Sequence, residues 1–474
     1  MPLHEIVIDV DHGGARRLPT LLECRDPSRG GQCLSQQARR SFEIEGVDHV
    51  DDEQRRVGGH VRVAMRGRKS FRSIEAEHRQ GGDHVNRIHD NMIDRAGASL
   101  PMMTTSVSSS RPVLLFNKNR DVDPAGHDHL TRVAMAQRIA TLINGHYAGV
   151  HDSSAIAGHP YFIPDNTLLR EDCTVLGIQG EDDLYGGVVP HAFLTNKTIS
   201  HPLPDMQAVA PDSWSPRLAQ RIGNTVLPGY SAFSRNDAQL AGERLLEGGR
   251  VRVKRAAGVG GEGQAVVDSI EELMSVLDGI DRNELCQEGV VIERDLDDAL
   301  TYSVGVLRVA GRQFAYCGTQ FMVEDRNGIE VYGGSELHVV RGGFAQLQRL
   351  LADDERVEAT GKAIQYDAAV SAEFPDFFAS RRNYDVAAGR DSRGLRHCGV
   401  LEQSWRIGGA TPAEIAAVEA LLAEPSLDSI VASTHELHRA GPVPAEARVH
   451  FDDPYSRSGP ILKYSRVHRH GNPT

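Results

Sequence analysis

The sequence has few aromatic residues, no closely spaced cysteine pair and no long apolar run. Phe, Tyr and Trp number 13, 11 and 2 among 474 residues. No stretch approaches the ~18 uninterrupted apolar residues that a membrane-spanning helix requires. The 6 cysteines form no CxxC pair, which argues against zinc-ribbon and disulfide-scaffold proteins. Because 65 acidic residues outnumber 52 basic ones, the charge balance argues against a large nucleic-acid-binding face, which needs a basic surface.

The start of the sequence also lacks a secretory signal. Residues 1–30 do not show the basic, then apolar, then small-residue order of such a signal. We therefore expect free, reduced thiols and a cytoplasmic protein with neither membrane nor nucleic acid among its partners. At roughly 100–200 residues per domain, the length allows two to four domains.

The composition changes abruptly near Met102. Residues 1–101 contain only two aromatics, Phe42 and Phe71, and their 16 basic residues balance 16 acidic ones, so the whole net charge of -13 belongs to the remainder. The segment has too little apolar surface to offset the entropy of the chain, and it shows no sustained period. We expect either a disordered extension or a true translation start at Met102 or Met103.

After Met102, apolar spacing predicts alternating strands and helices. A strand over 113–116 and a helix over 129–143 open an α/β layer, and the polar, glycine-rich stretch 177–202 is predicted to be loop. Thr411-Pro-Ala-Glu414 is typical of a capping box with Pro at the first helical position. The other predicted helices cover 215–227, 236–246, 270–277, 344–351, 356–374 and 413–423, and the other predicted strands cover 250–253, 264–267, 290–293, 302–309, 313–319, 384–386 and 399–403.

Residues 250–264 combine a strand, a lysine, a glycine-rich loop and a second strand. Gly258, Gly260 and Gly263 match GxGxxG, but a strand-like segment follows them where a Rossmann fingerprint has a helix. The loop lacks the Gly-Lys-Ser/Thr of a Walker A motif, and Lys254 precedes the loop, whereas the lysine of a kinase follows it. Glycine N–H groups and a nearby ammonium suit phosphate oxygens. A plain hairpin with an exposed lysine is the alternative.

The order of Lys254, the glycine flap, the strand Val290–Glu293 and the later Asp385 and Glu402 resembles the ATP-grasp superfamily, which includes biotin carboxylase and D-alanine ligase. The resemblance covers about residues 215–425 and implies an α/β (α+β) fold in three parts. Those parts are an N-terminal α/β pre-domain over 112–210, a small subdomain with the flap over 211–300, and a large subdomain with the metal site and C-terminal segment over 301–474.

A closer resemblance extends over nearly all of 112–474. Strings such as Arg381-Arg-Asn-Tyr-Asp385 and Leu401-Glu-Gln-Ser-Trp-Arg-Ile-Gly-Gly409 are similar to the bacterial domain-of-unknown-function 3182 family. This resemblance implies no substrate.

The ATP-grasp resemblance implies a nucleotide site. Lys254 would hold the α- and β-phosphates of ATP, and the flap would cover the β- and γ-phosphates. Glu293 would end the hinge strand that holds the adenine amino group, with backbone groups from Arg294 and an apolar wall from Leu296. The flap glycines are Gly258, Gly260, Gly261 and Gly263.

Two carboxylates suggest the metal end of such a site. Asp385 and Glu402 lie on two predicted strands joined by a turn, so a hairpin would bring them together, and carboxylate oxygens suit Mg²⁺. The resemblance implies that both ligate Mg²⁺, or Mn²⁺, together with Ser404. The superfamily usually has asparagine at the position of Ser404, so the second metal would be held more weakly or through the hydroxyl group.

Two arginines are the predicted catalytic residues. Arg382, with its neighbour Arg381 as the alternative, would be the superfamily's arginine beside the first carboxylate. Arg406 would contact the transferring phosphoryl group or an acyl phosphate, with a local salt bridge as the alternative. Lys197 would either reach the nucleotide or lie on the surface, and Trp405 is predicted to lie in the core.

Together these features imply an ATP- and Mg²⁺-dependent ligase. A small-molecule carboxylate would become an acyl phosphate, which an amine or a thiol then attacks. The alternatives are activation of bicarbonate, as in biotin carboxylase, and a nucleotide-binding protein with a degenerate, non-catalytic site. The implied partners are a small carboxylate and a small amine, and the resemblance is compatible with a homodimer.

Overall fold

The computed structural model describes residues 110–118, 122–152, 158–256, 258, 263–439, 441–455 and 459–468. Both hypotheses for residues 1–101 lie outside this part of the chain. The predicted mixed α/β class is confirmed, since helices and strands alternate along the described residues. None of the helices in these ranges is long and apolar enough to cross a membrane.

The described chain opens with a small parallel sheet. Strand β1 (Arg111–Phe116) lies between β2 (Gly145–Val150) and β3 (Tyr161–Pro164), and helix α1 (His127–Leu142) connects β1 to β2. The four central residues of β1 are buried, as expected for a parallel strand that is covered on both faces. The predicted opening of an α/β layer is therefore confirmed.

Short elements lead from this sheet to the rest of the molecule. They are β4 (Leu168–Leu169), α2 (Arg170–Leu176), β5 (Gly187–Val189) and the 3-10 turns Glu181–Asp183, Ala192–Thr195 and Lys197–Ser200. Much of the segment predicted as loop thus consists of tight turns, whose side chains are largely buried.

A four-stranded antiparallel sheet carries the glycine-rich loop. Helix α3 (Pro216–Ile222) precedes this sheet in the chain. The strands of the sheet and the helices that cover it are β6 (Gly229–Ala232), α4 (Arg235–Leu246), β7 (Val251–Arg255), β8 (Gln264–Val267), α5 (Ile270–Asp278), α6 (Arg282–Glu288) and β9 (Val290–Arg294). The strand order is β6-β9-β7-β8. The loop therefore joins two neighbouring antiparallel strands, β7 and β8, as the sequence predicts.

An eight-stranded antiparallel sheet forms the largest layer. Its elements are β10 (Asp297–Val309), β11 (Arg312–Glu324), β12 (Glu330–Arg341), α7 (Phe344–Leu350), α8 (Asp354–Glu373), β13 (Phe378–Ala379, which pairs with β5 instead), β14 (Arg381–Arg390), β15 (Arg396–Ser404), α9 (Thr411–Ala423), β16 (Ser429–Leu437), β17 (Arg448–Asp453) and β18 (Ile461–His468). The order is β15-β14-β10-β11-β12-β16-β18-β17. Helix α8 packs on β10, β14 and β15, whereas α9 packs on β12, β16 and β18.

The two helices cover opposite faces of this sheet and create two separate cores. Val304 and Val306 of β10 belong to the core that includes α8, whereas Leu307 and Val309 belong to the core that includes α9. The successive residues Val306 and Leu307 point to opposite faces because side chains alternate along a strand. Trp405 is buried in the first core, as predicted.

The predicted capping box at the start of α9 is wrong. The helix begins at Thr411, and its N-cap residue is Ala410, which has no side-chain capping bond. Glu414 is fully buried and forms an ion pair with Arg381, 2.6 Å from Oε1 to Nη2. A buried guanidinium binds a carboxylate more strongly than a backbone N–H does, so Glu414 turns away from the helix end.

Candidate functional site

The four-stranded sheet supplies a buried lysine next to the glycine-rich loop. Lys254, near the end of β7, is 4% exposed, and its Nζ lies 2.5 Å from Oε1 of Glu293 on β9, which is 1% exposed. The other oxygen of Glu293 lies 3.0 Å from Nε2 of the fully buried His201. The side chain of Glu293 therefore has two internal partners, Lys254 and His201.

The hinge that follows β9 is held by its own backbone and by one arginine. The N–H of Arg294 donates to the carbonyl of Pro228 at 2.8 Å, and its side chain donates to the carbonyls of Leu245 and Gly249. Leu296 is half-buried. The structure thus places Arg294 and Leu296 directly after Glu293, as the hinge prediction requires, and the nucleotide role of the three stays a prediction.

The Lys254–Glu293 pair predicts an acid-sensitive contribution to stability. Burial alone raises the pKa of Glu293, but the charges and hydrogen bonds of Lys254 and His201 outweigh it and lower that pKa to about 2. A depressed carboxyl pKa stabilises the fold above its ordinary pKa of 4.5, and this stabilisation is lost as pH falls towards 2. We expect the difference in unfolding free energy between wild type and Glu293→Gln to narrow over this range. Urea titrations at each pH measure it, and a difference that is constant with pH would contradict the assignment.

Two glycines at the ends of the loop are described, and they hold its base together. The N–H of Arg255 donates to the carbonyl of Gly263, and the N–H of Gly258 donates to the carbonyl of Arg255. Gly263 has φ +69°, a left-handed conformation that favours glycine. The predicted flap residues Gly260 and Gly261 lie outside the described residues.

Asp385 and Glu402 are brought together, as the predicted hairpin requires. They are directly opposite each other in the pairing of β14 with β15. The next pair in register is Val386 with Val400, so Leu401 forms a β-bulge beside the two carboxylates. Bulges of this kind are frequent next to active sites, where they redirect side chains.

The Asp385 carboxyl group is heavily hydrogen-bonded on one side. Its Oδ1 accepts bonds from Gln320 at 2.8 Å, Asn383 at 3.0 Å and Ser303 at 3.3 Å. Burial and the nearby charge of Glu402 nevertheless raise the pKa of Asp385 to about 6. Two close carboxylates that lack a full counter-charge are suited to a cation.

Lys197 joins the loop to this carboxylate pair. Its Nζ lies 3.0 Å from Oε2 of Glu402 and donates a 2.6 Å hydrogen bond to the carbonyl of Gly258. Lys197 is 5% exposed, so the surface alternative for it is excluded. The side-chain amide of Gln403 donates to the carbonyl of Asn196 at 2.6 Å and so fixes the start of the 3-10 turn that carries Lys197. Lys197 therefore connects the glycine-rich loop with the carboxylate pair, and no sequence motif around it indicates this contact.

The predicted catalytic arginines have different surroundings. Arg382 forms an ion pair with Asp367 of α8 at 3.1 Å, on the sheet face opposite to Asp385, and the structure does not bring it to the carboxylate pair. Arg406 forms no ion pair with any described carboxylate. Burial lowers the pKa of Arg406, and the negative charges of Glu402 and Asp385 oppose that shift.

Arg381, the alternative to Arg382, binds a buried carboxylate and the backbone next to the site. Its guanidinium binds both oxygens of Glu414 at 2.6 and 2.8 Å, and it donates to the backbone carbonyls of Ser404 and Arg406. The hydroxyl of Tyr185 donates to Glu414 at 2.6 Å. This buried network fixes the backbone after β15. Strand alternation could have identified it, since residues 381 and 385 share one face of β14.

The oxygen donors around the carboxylate pair meet some of the requirements of a divalent cation. No group of three His, Cys, Asp or Glu residues that could hold a metal is found among the described residues. Asp385, Glu402 and Ser404 nevertheless supply oxygen donors on one face of adjacent strands, with Ser404 opposite Asn383. Mg²⁺ is commonly bound by one or two carboxylates together with water and substrate phosphates. Asp385, Glu402 and Ser404 are therefore the residues that could hold such a cation.

Comparisons with known proteins identify a family and a set of distant structural similarities. The model of a family described as "Protein of unknown function (DUF3182)" matches residues 115–465. A search of curated proteins finds no match.

Several solved structures are similar to the chain at low identity. They include a biotin carboxylase complex from Campylobacter jejuni, with 14% identity over 76% of this chain and 87% of that one (TM-score 0.42). An N5-carboxyaminoimidazole synthetase from Staphylococcus aureus in complex with ADP has 15% identity over 76% and 94% (TM-score 0.42). D-alanyl-alanine synthetase A from Vibrio cholerae has 10% identity over 64% and 90% (TM-score 0.39).

Proposed function

The chain belongs to the DUF3182 family, and we propose from the geometry of its site that it is an ATP- and Mg²⁺-dependent ligase of the ATP-grasp type. In this proposal it converts a small-molecule carboxylate into an acyl phosphate, which an amine or a thiol then attacks. The family description gives no activity, so the proposal rests on the residues around Lys197.

The observation that supports the proposal best is the double contact of Lys197. Its ammonium group touches both the base of the glycine-rich loop and Glu402. The base of the glycine-rich loop, which would bind phosphate, thus lies close to the carboxylates, although the two come from different sheets. Lysine, glycine N–H groups, paired carboxylates and a nearby arginine are the groups that phosphoryl transfer needs, because this chemistry depends on positioning and charge neutralisation.

In the proposed mechanism, an oxygen of the substrate carboxylate attacks the γ-phosphorus of ATP. The bond to the β-phosphate oxygen breaks, giving an acyl phosphate and ADP. An amine or a thiol then attacks the acyl carbon and inorganic phosphate leaves. Lys254 and Lys197 would hold the phosphates, and Arg406 would stabilise charge on the transferring phosphoryl group. Asp385, Glu402 and Ser404 would hold Mg²⁺, which neutralises phosphate charge when bound.

The test is ATP-dependent ADP release by the full chain on addition of pooled amino acids, small carboxylic acids and bicarbonate. We expect one pool to stimulate release, and Lys254→Ala to lower the stimulated rate by roughly 10²-fold, because a preorganised charge at the phosphates is lost. Lys362→Ala on α8 is the matched control, with an unchanged rate. Because Lys254→Ala removes one of the two partners of Glu293, the thermal unfolding midpoint of each variant is measured. All assays are run at a temperature well below the lowest of these midpoints.

The outcomes separate the alternatives. Stimulation by bicarbonate alone favours an activity like that of biotin carboxylase. If ATP binds but no pool stimulates ADP release, the degenerate nucleotide-binding protein is favoured, for which Ser404 in place of asparagine is the structural reason. Failure of ATP to bind would contradict the proposal as a whole.

A further inference from the structure

The small parallel sheet has its topological switch point between β1 and β3. The chain passes from β1 through α1 to β2 on one side and then returns to β3 on the other side of β1. In open parallel sheets, ligands bind outside the carboxyl ends of the strands at such a point. The described residues there are Asn117 and Lys118, which follow β1, and Asp165, which follows β3.

Arg132 of α1 reaches this point with a nitrogen atom that has no hydrogen-bond partner among the described residues. Its Nη2 donates to Oδ1 of Asn117 at 2.5 Å. Its Nη1 is buried, has no hydrogen-bond partner among the described residues, and lies 3.9 Å from Oδ2 of Asp165. That separation is too long for a hydrogen bond. The whole side chain is 11% exposed, so the unmet N–H groups cost free energy unless a ligand accepts them.

Asp165 is held in place independently of Arg132. Its Oδ1 accepts the backbone N–H of Lys118 at 2.9 Å, and its own N–H donates to the carbonyl of Phe116. Lys118 does not neutralise it, because the Lys118 ammonium pairs with Asp172 at 2.9 Å. The switch point therefore holds a guanidinium whose Nη1 has no hydrogen-bond acceptor among the described residues, and a fixed carboxylate whose Oδ2 forms only a long ion pair with that nitrogen at 3.9 Å.

The segment that follows Asp165 contacts the segment before Arg406. The Thr167 hydroxyl lies 3.5 Å from the carbonyl oxygen of Trp405. A small molecule at the switch point thus lies next to the proposed site of acyl phosphate formation.

We propose that one substrate is an amino acid whose α-carboxylate binds Nη1 of Arg132 and whose ammonium group binds Oδ2 of Asp165. A simple anion would be repelled by Asp165. A simple amine would leave Nη1 of Arg132 without a hydrogen-bond acceptor. A zwitterion satisfies both groups, and arginine is well suited to bind a carboxylate. The inference extends the proposed ligase function by assigning a substrate class, but the binding itself requires no turnover.

The test is equilibrium dialysis of the full chain against a mixture of amino acids and the matching 2-hydroxy acids, with and without Mg²⁺ and a non-hydrolysable ATP analogue, read by mass spectrometry. We expect at least one amino acid to be retained at least about 10-fold over its 2-hydroxy counterpart. Arg132→Gln and Asp165→Asn should each weaken that retention by a similar factor. Arg170→Gln, which alters an exposed arginine on α2, is the control and should bind as wild type does.

Each outcome decides the assignment. Retention of no amino acid by wild type, equal retention of the 2-hydroxy acids, or unchanged binding by Arg132→Gln would overturn it. Circular dichroism checks that both test variants are folded. If ADP release responds only to acids without an amino group, the ligase proposal stands and this inference fails. If an amino acid binds but ATP does not, the inference stands and the ligase proposal fails.

Discussion

Replacement of Glu402 by glutamine is expected to lower kcat/KM for ADP release by roughly 10²–10³-fold. The substitution removes one of two carboxylates that face each other across β14 and β15, and it removes the charge that holds Lys197. Glutamine keeps the shape of the side chain and its hydrogen-bonding oxygen. Because Lys197 is buried, loss of this counter-charge should also lower the free energy of unfolding, and solvent at the 32% exposed Glu402 side chain limits the loss.

Steady-state ADP release over a range of Mg²⁺ concentrations measures this effect. Glu330→Gln provides the matched control, because it alters an exposed carboxylate on β12 of the same sheet and should leave the rate unchanged. A Glu402→Gln enzyme with wild-type turnover and wild-type dependence on Mg²⁺ would show that the carboxylate pair has no part in the reaction.

Replacement of Glu414 by glutamine is expected to lower the free energy of unfolding by about 3–5 kcal/mol. The substitution leaves the buried guanidinium of Arg381 without a counter-charge. It also weakens the hydrogen bond from Tyr185, which now approaches a neutral amide. Because Arg381 also donates to the carbonyl groups of Ser404 and Arg406, the backbone beside the site should loosen, and activity should fall even at temperatures where the variant is folded.

Urea unfolding followed by tryptophan fluorescence measures the stability change, since Trp405 lies in the core next to this network. Asp278→Asn disrupts an exposed ion pair with Arg235 and should cost less than about 1 kcal/mol. If the two substitutions cost the same, the Arg381–Glu414 pair does not hold the site in place.

The parts of the fold that depend on local patterns could be predicted from the sequence. The strand-loop-strand order around Lys254 follows from apolar runs that flank glycines. The pairing of the two strands that carry Asp385 and Glu402 follows from the short turn between them, at which the N–H of Gly394 donates to the carbonyl of Asp391. The register set by this turn would place Leu401 opposite Asp385. Glu402 takes that position only because Leu401 forms a β-bulge, which the sequence does not indicate.

The contacts between distant parts of the chain could not be predicted in this way. Lys197 meets Glu402 only because a buried 3-10 turn packs against β15, and nothing near Lys197 in the sequence indicates that packing. Strands β16 and β18 are not predicted from the sequence, because serine, threonine and charged residues interrupt their apolar residues. Several of these polar side chains, among them Ser433 and Arg466, line a cavity of about 320 Å³ rather than a core.

The choice between Arg381 and Arg382 shows a different limit. Both arginines lie on β14. Each points to the same face of the sheet as Asp385 if an even number of positions separates it from Asp385 in the sequence, and to the opposite face if that number is odd. Arg382 is three residues away and points to α8, whereas Arg381 is four residues away and points to Glu414. A motif comparison that allows a shift of one residue cannot tell to which face of the sheet an arginine points. The alternation of side chains along the strand does tell the two faces apart.

Calorimetric titration of the full chain with ATP, in the presence and in the absence of Mg²⁺, tests the central claim most directly. The account predicts that ATP binds at one site per chain, that affinity rises with Mg²⁺, and that Lys254→Ala weakens binding while Lys362→Ala does not. Absence of ATP binding by the wild-type chain at any Mg²⁺ concentration would contradict the assignment of Lys254, Lys197 and the carboxylate pair to a nucleotide site.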